Sequence, residues 1–265
     1  MASTPIVYLL SGYSNNRGFS KVEIDQHYLN PLLVELYDLD SGWSEDRQYY
    51  LSLASDQNMH ILDLGCGTGL LCDAYARSGN RVVGVDPAPA MLQSARQKEY
   101  GSKIKWVQST AQEFRSSEKF DLIIMTGHAF QVLLTDEEIA STFATIKNQL
   151  APGGLAVFES RNPDIDWSAN WNYEIELATP RGSVIEKREF LAFENGVEYM
   201  SFELKYSFPE GEFVSTSRLR FPSLELIKSC LSEASLSLEA LFGDWRQGAF
   251  QQSRSEEMIF HVRSR

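Results

Sequence analysis

The chain has 265 residues, of which 43% are hydrophobic, so it is long enough to bury a substantial core. It carries 24 Lys and Arg residues against 36 Asp and Glu residues, a formal net charge of −12. Proteins that bind nucleic acid need clustered basic residues to neutralise phosphates, so this balance argues against a nucleic-acid partner. An acidic surface of this kind favours cationic amines or a protein partner instead.

Membrane and metal chemistry are also disfavoured. No apolar run approaches the roughly 20 residues needed to cross a membrane, and Ile6 to Leu10 is too short for the core of a signal peptide. The three cysteines form no C-x-x-C pair and the four histidines no zinc motif, so neither a disulfide framework nor a metal is expected. Cytoplasmic residence is the corresponding expectation.

The first informative element is a strand that runs directly into glycines. Residues 60–64 are largely apolar, Gly65, Gly67 and Gly69 follow at alternate positions, and helix-forming sequence comes next. Such a turn lets a ligand approach main-chain N–H groups closely. A dinucleotide fingerprint would read G-x-G-x-x-G, but here Leu70 stands where its third glycine is required. A nicotinamide cofactor is therefore the weaker interpretation.

The sequence Asp63-Leu-Gly-Cys-Gly-Thr-Gly69 resembles the glycine-rich loop of class I S-adenosylmethionine-dependent methyltransferases. The resemblance implies that Gly65, Cys66, Gly67 and Gly69 wrap the methionine half of the cofactor. It also implies that Asp63 accepts a hydrogen bond from the cofactor ammonium, directly or through water. The alternative is an ordinary strand-to-helix turn that happens to carry glycines.

A second strand, Arg81 to Asp86, ends in an acid and precedes a helical run from Ala88 to Tyr100. A carboxylate at this position can accept from both ribose hydroxyls, so we assign Asp86 to the ribose, with Pro87 and Met91 beside it. Asp86 could instead cap a helix opened by Pro87, and the two roles are compatible.

The third strand, Ile104 to Gln108, leads to the segment that contacts adenine in the resembled family. Thr110 stands where family members often have Asp, so Gln112 or Glu113 is a substitute partner for the ring, and the main-chain N–H of Ala111 could reach a ring nitrogen. An ordinary polar loop is the alternative.

The fourth strand, Phe120 to Thr126, is largely apolar, as expected of a parallel strand covered on both faces. In the resembled family the loop that follows faces the transferred methyl group, which singles out Thr126, Gly127 and His128. Imidazole can accept a proton near neutral pH, so His128 is a provisional catalytic base. A hydrogen-bonding structural role is the alternative.

The next helix opens with a capping box at Thr135 and Glu138, and the fifth strand is Leu155 to Glu159. Arg161 follows at the carboxyl end, where ligands bind in open α/β sheets. Its planar guanidinium, together with Asn162, could hold a carboxylate or carbonyl of the substrate, and an internal salt bridge is the alternative.

Residues 167–221 break the alternation of strand and helix. Four segments have strand composition, namely Glu174 to Ala178, Ser183 to Phe193, Val197 to Phe208 and Glu212 to Phe221, and Asn195-Gly196 is a hairpin signal. We interpret them as an antiparallel insertion. A lone hairpin is marginally stable, so the insertion needs a partner surface and either roofs the substrate pocket or pairs with a second subunit in a homodimer.

The carboxyl-terminal part resembles the end of bacterial small-molecule methyltransferases, with a helix from Pro222 to Ala234 and strands at Leu236 to Phe242 and Glu257 to Val262. The resemblance implies a Rossmann-like, doubly wound α/β fold whose seven-stranded sheet has an antiparallel last strand. The core would comprise residues 59–166 and 222–265, with the insertion at 167–221 and a helical or lid region at 1–58. Within that region Tyr37 is a candidate to cover the cofactor sulfonium through its aromatic face, and Trp43 and Tyr28 could do the same; core packing is the alternative for each. Arg47 could hold the cofactor carboxylate.

Together these observations predict an S-adenosylmethionine-dependent transfer of a methyl group to an N, O or C atom of a small molecule. A base is needed only where the nucleophile must lose a proton, so a methyltransferase can lack an obvious catalytic residue. Two alternatives remain: a cofactor-binding protein with a regulatory or scaffolding role and, less favoured, a nicotinamide-dependent oxidoreductase.

Overall fold

A computed structural model describes residues 7–9, 24–54 and 58–265 of the chain. The Ile6 to Leu10 segment and the 1–58 region lie partly outside the described residues. None of the helices in the described ranges combines the length and the apolar character that a membrane crossing requires.

Short helices form the described amino-terminal part: α1 (Gln26–Leu29), α2 (Pro31–Asp40) and α3 (Glu45–Ser52). The sequence explains the start of α2, because the Asn30 side chain accepts from the Leu32 N–H at 3.0 Å and Pro31 occupies the first turn, where its missing N–H costs nothing. A short strand, β1 (Val7–Leu9), precedes these helices.

The central part alternates strands and helices. Its strands are β2 (His60–Leu64), β3 (Arg81–Asp86), β4 (Lys105–Gln108), β5 (Phe120–Met125) and β6 (Leu150–Arg161), and its α-helices are α4 (Leu70–Arg77), α5 (Pro89–Ala95) and α6 (Asp136–Gln149). Single 3₁₀ turns lie at Gly101–Lys103, Ala129–Val132 and Ser168–Asn170. The carboxyl-terminal elements are α7 (Leu224–Glu233), β11 (Leu236–Phe242) and β12 (Glu257–Ser264).

These strands form one seven-stranded sheet in the order β11-β12-β6-β5-β2-β3-β4. The strands β2 to β6 pair in parallel, whereas β12 lies between β6 and β11 and is antiparallel to both. Helices cover both faces, which is why β2 is buried at all five positions. The predicted doubly wound fold with an antiparallel last strand is therefore confirmed.

The insertion contributes β7 (Tyr173–Thr179), β8 (Gly182–Glu194), β9 (Tyr199–Phe208) and β10 (Gly211–Arg220), which pair antiparallel in chain order. The turn between β8 and β9 contains Asn195 and Gly196 at φ values of 51° and 73°, the left-handed pair that a tight hairpin favours. Strand β1 adds in parallel to β10, which the sequence did not predict.

The insertion sheet has one apolar and one polar face. Its inner side chains, among them Leu177, Val184, Met200 and Leu204, form a buried cluster with Leu33 and Leu36 of α2. The alternate positions on β8 and β9 carry Lys187, Glu189, Glu203 and Lys205, a composition typical of a face exposed to water. The partner surface that the sequence analysis required for this insertion is thus supplied within the chain by α2.

Candidate cofactor and acceptor site

The glycine loop is fastened to the adjacent strand β3. The N–H groups of Gly65 and Cys66 both donate to the carbonyl of Val85, at 2.8 and 3.0 Å, and the N–H of Gly67 donates to the Asp86 carboxylate at 2.9 Å. Gly65, Gly67 and Gly69 have φ values of 79°, 53° and 77°, which only glycine adopts readily. The loop therefore has the fixed, open backbone that the sequence predicted.

Asp63 lies beneath this loop and is 2% exposed. Its Oδ2 accepts from the Cys72 thiol at 3.4 Å, while Oδ1 has no hydrogen-bond partner among the described residues. Burial, opposed by the thiol contact, raises the pKa of Asp63 to about 7. A buried carboxylate oxygen without a partner is costly, and an ammonium group brought by a ligand would satisfy it.

Asp86 ends β3 at the carboxyl edge of the sheet. Its Oδ2 accepts from Gly67, and its Oδ1 accepts from the N–H of Ala88 at 2.8 Å. Burial raises the pKa of this carboxyl to about 6, against these two backbone hydrogen bonds. Each oxygen keeps a second acceptor position, so the ribose assignment is compatible with the local bonds.

The helix after Asp86 differs from its prediction. The expected run from Ala88 to Tyr100 is the shorter helix α5, and Pro89 rather than Pro87 stands in its first turn, with Ala88 at the cap position. The idea that Pro87 opens the helix was therefore wrong. Met91, 2% exposed, packs in a cluster with Tyr28 and Tyr37 beside the loop.

The predicted adenine segment follows β4. Thr110 accepts from the Glu113 N–H through its hydroxyl at 3.2 Å, a turn contact of its own loop. Ala111 is buried in the core, and the Gln112 carbonyl accepts from Arg115 and Thr145. These contacts fix the loop backbone, and the adenine roles of the three residues stay predictions.

The loop after β5 contacts the glycine loop, since a Cβ added to Gly65 would lie 2.9 Å from that of Ala129. Thr126 accepts from Ala129 at 3.2 Å through its carbonyl, and Gly127 and His128 follow with φ values of 64° and 59°. The predicted residues of the glycine loop and of the loop after β5 are thus adjacent at the carboxyl edge of the sheet.

His128 is held at both ends by carboxylates. Its main-chain N–H donates to Glu159 Oε1 at 2.7 Å, and its Nε2 lies 2.9 and 3.1 Å from the two oxygens of Glu257. Burial opposes ionisation of Glu257, but the neighbouring His128 and Arg161 hold its pKa below the usual value. No hydrogen bond within the described part of the chain engages His128 Nδ1.

Glu159, the one acidic residue of β6, is 1% exposed and also accepts from the Tyr50 hydroxyl of α3. Burial raises its pKa to about 7, although His128 and Tyr50 favour the carboxylate. It therefore connects helix α3 to the left-handed backbone of His128.

Arg161 ends β6 opposite Glu257 in the β12 register. Its Nη1 donates to Gln131 Oε1 at 2.9 Å, and its guanidinium lies over the rings of Trp167 and Trp171. Among the described residues it forms no ion pair with a carboxylate, so the internal salt bridge considered as its alternative role is absent there.

The helical region covers the glycine loop. The Tyr37 ring stands 4.0 Å from where a Cβ of Gly67 would be, its centroid is 6.2 Å from that of Tyr28, and Thr68 of the loop donates to Asp38. Two other aromatic and basic candidates of this region behave differently. Trp43 is 50% exposed and bonds to Gln48, and Arg47 bonds within its own turn, to Gly42 and Ser44.

Sequence reasoning missed Glu159 and Glu257 as site residues. An acid that ends an otherwise apolar strand was a usable signal for Glu159. Glu257 had no such signal, because it reaches His128 only through the antiparallel pairing of β12 with β6.

The chain was compared with known proteins. Residues 61–154 match the family described as methyltransferase domain. A ubiquinone biosynthesis O-methyltransferase of Bradyrhizobium sp. (strain ORS 278) is 31% identical over 138 residues, 51% of this chain and 53% of that protein. The chain thus spans about half the length of the curated relatives it matches.

Solved structures share the fold over most of the chain. The CcbJ methyltransferase from Streptomyces caelestis superposes with a TM-score of 0.71 at 19% identity, over 86% of this chain and 96% of that one. S-adenosylmethionine-bound CalS10, an amino pentose methyltransferase from Micromonospora echinaspora, gives 0.68 at 20% identity, over 94% and 99%.

The residues of the site fit S-adenosylmethionine, since Asp63 presents beneath the loop a buried oxygen that has no partner among the described residues, and Asp86 presents an acid at the strand end. Residues 61–154, which contain the glycine loop, thus match a methyltransferase domain, and the chain shares its fold with solved methyltransferase structures.

Proposed function

We propose that this protein transfers a methyl group to an N, O or C atom of a small molecule by in-line displacement. The observation that carries the proposal lies at the carboxyl edge of the sheet, where Gly67 donates to Asp86 above a buried Asp63 oxygen that no residue in the described ranges satisfies. S-adenosylmethionine, when bound, supplies the methyl group on a sulfonium. The chain's own contribution is orientation, which can lower a barrier by roughly 7–11 kcal/mol in well-aligned pairs.

The relatives support small acceptors without naming one for this chain. The curated relative is named for O-methylation in ubiquinone biosynthesis, and CalS10 is described as an amino pentose methyltransferase. The insertion sheet packs on α2, which itself contacts the glycine loop through Tyr37 and Asp38, and this supports our proposal that the sheet roofs the acceptor pocket. Pairing through the insertion in a homodimer stays a prediction.

His128 is our candidate base where the acceptor must lose a proton. Glu257 holds Nε2, which leaves Nδ1 as the ring atom that can accept a proton, and Glu159 fixes the backbone. Glu257 is a positioning residue in this scheme, because it acts through the orientation of the imidazole. Such a base contributes typically 10²–10⁴-fold to the rate.

Calorimetry with S-adenosylhomocysteine and with NAD tests the cofactor step. We expect binding of the first alone, and Asp86→Ala should weaken it strongly while far-ultraviolet dichroism stays unchanged. Unchanged affinity in that variant would remove the ribose assignment, and binding of NAD alone would overturn the proposal.

A panel of amines, sugars and carboxylates then identifies the acceptor by release of S-adenosylhomocysteine. On a hydroxyl acceptor, His128→Ala should lower kcat with little change in cofactor affinity, and Glu257→Gln should alter the pH profile of kcat. His60→Gln is the matched control. His60 also lies near a carboxylate, that of Glu118 at 3.7 Å, but it stands at the amino-terminal end of β2. Equal losses in both histidine variants would refute the assignment.

A further inference from the structure

Two guanidinium groups share one indole ring beside the proposed acceptor site. The Cζ atoms of Arg161 and Arg188 lie 5.0 and 4.4 Å from the centroid of the Trp171 ring. Arg161 comes from the end of β6 and Arg188 from the inner face of β8, so the core sheet and the insertion meet here. Trp171 is 3% exposed.

The hydrogen-bond donors of this group are incompletely used. Arg161 donates from Nη1 to Gln131, and Arg188 donates from Nε to the Trp171 carbonyl at 2.9 Å. The Trp171 Nε1–H is buried and has no acceptor within the described ranges. A buried donor without a partner costs about 1–3 kcal/mol, so the Trp171 N–H beside two guanidinium groups is suited to an acceptor group brought by a ligand.

The two guanidinium groups of Arg161 and Arg188 are also unusual because they lack carboxylate partners among the described residues. In a chain with 36 acids and 24 basic residues, neither guanidinium forms an ion pair with any described carboxylate. Glu257 and Glu159 act on Arg161, and Asp40 and Glu186 on Arg188, only at longer range. Burial lowers the pKa of Arg161 to about 10, which still leaves the group charged at neutral pH.

The position fits the acceptor rather than the cofactor. Arg161 pairs in register with Glu257, whose carboxylate holds His128, and His128 belongs to the loop that touches the glycine turn. Arg188 also lies over the Tyr173 ring at 4.3 Å, so the insertion supplies the far wall.

We propose that Arg161, Arg188 and the Trp171 indole N–H form a binding subsite for an anionic group of the methyl acceptor, a carboxylate or a phosphate. The proposal rests on the proposed function for its role, but its chemistry depends only on these three side chains. Guanidinium groups bind both anions through paired hydrogen bonds, and the aromatic ring fixes their planes. The acceptor would thus be anchored by its anion while its nucleophile faces His128.

The test uses inorganic phosphate, pyrophosphate and acetate as probes at constant ionic strength, with chloride as the background anion. Binding is followed by calorimetry and by the indole ¹⁵N–¹H resonances of the protein. We expect saturable binding with a shift of the Trp171 indole signal, assigned by Trp171→Phe. Preference for acetate or for the phosphates distinguishes the two anion classes.

Arg188→Met should weaken anion binding roughly tenfold or more, as expected when a charge-assisted hydrogen bond worth about 1.4 kcal/mol or more is lost. Arg188→Lys keeps the charge but lacks the planar guanidinium, so its affinity for anions should lie between that of Arg188→Met and that of the wild type. Arg218→Met is the matched control, because Arg218 also stacks on a ring, Tyr199 at 4.1 Å, but is ion-paired with Glu194 at 2.7 Å. It should bind like the wild type.

The subsite is overturned if the wild type shows no saturable binding of any probe, or if Arg188→Met and Arg218→Met bind equally well. S-adenosylhomocysteine is titrated into the same samples to separate the two proposals. Cofactor binding without anion binding refutes the subsite alone, whereas anion binding without cofactor binding refutes the methyltransferase proposal and leaves the anion site standing.

Discussion

Asp63 should limit the stability of the cofactor-free protein. Its carboxyl is 2% exposed, and burial raises its pKa from 3.8 to about 7. Relative to the protonated carboxyl, a shift of that size lowers the free energy of unfolding by about 4 kcal/mol at pH values above 7. Because the folded pKa is raised, the stability of the protein with protonated Asp63 is fully present below the unfolded pKa and is lost as pH rises through about 7. Ionised Asp63 therefore opposes folding in alkaline solution.

Asp63→Asn removes the charge but leaves a buried amide, which itself costs roughly 1–3 kcal/mol if unpaired. We expect the variant to be more stable than the wild type by roughly 1–3 kcal/mol at pH 8, with a smaller difference at pH 5. The same change should weaken S-adenosylhomocysteine binding, because the acceptor for its ammonium is lost. Stability and affinity should thus move in opposite directions.

Urea unfolding at pH 5 and pH 8 measures the stability difference, and calorimetry measures the affinity. Glu210→Gln, a neutralisation in the exposed turn before β10, is the control and should change neither quantity. A variant that is less stable than the wild type at pH 8, or whose stability difference is the same at both pH values, would refute the reasoning.

Two further predictions concern the frame of the site. Gly69→Ala should lose about 1–3 kcal/mol more unfolding free energy than Gly79→Ala. Both glycines have left-handed φ values, 77° and 89°, but only at Gly69 would an added Cβ meet Trp106, at 2.6 Å. Equal losses in urea unfolding would show that Trp106 moves aside freely. Thr135→Ala should cost about 1 kcal/mol by removing the capping-box acceptor of α6, and an unchanged melting temperature would contradict that role.

Some features of this protein follow from local sequence alone. The strand, glycine turn and helix between His60 and Arg77 form as predicted, because apolar runs, left-handed glycines and helix formers act over a few residues. The capping box at Thr135 and the Asn195-Gly196 turn are equally local. These signals, with the family resemblance, were sufficient for the fold class and for the residues of the glycine loop.

Other features depend on residues far apart in the chain, which no local pattern contains. Glu257 reaches His128 only because β12 enters the sheet antiparallel beside β6, and β1 pairs with β10 across about 200 residues of the chain. The grouping of Arg161 and Arg188 on Trp171 likewise requires the insertion to fold back over the core. Sequence determined the glycine loop that we propose holds the cofactor, and tertiary packing decided which charges surround the proposed acceptor site, because burial and long-range pairing set the partners of each side chain.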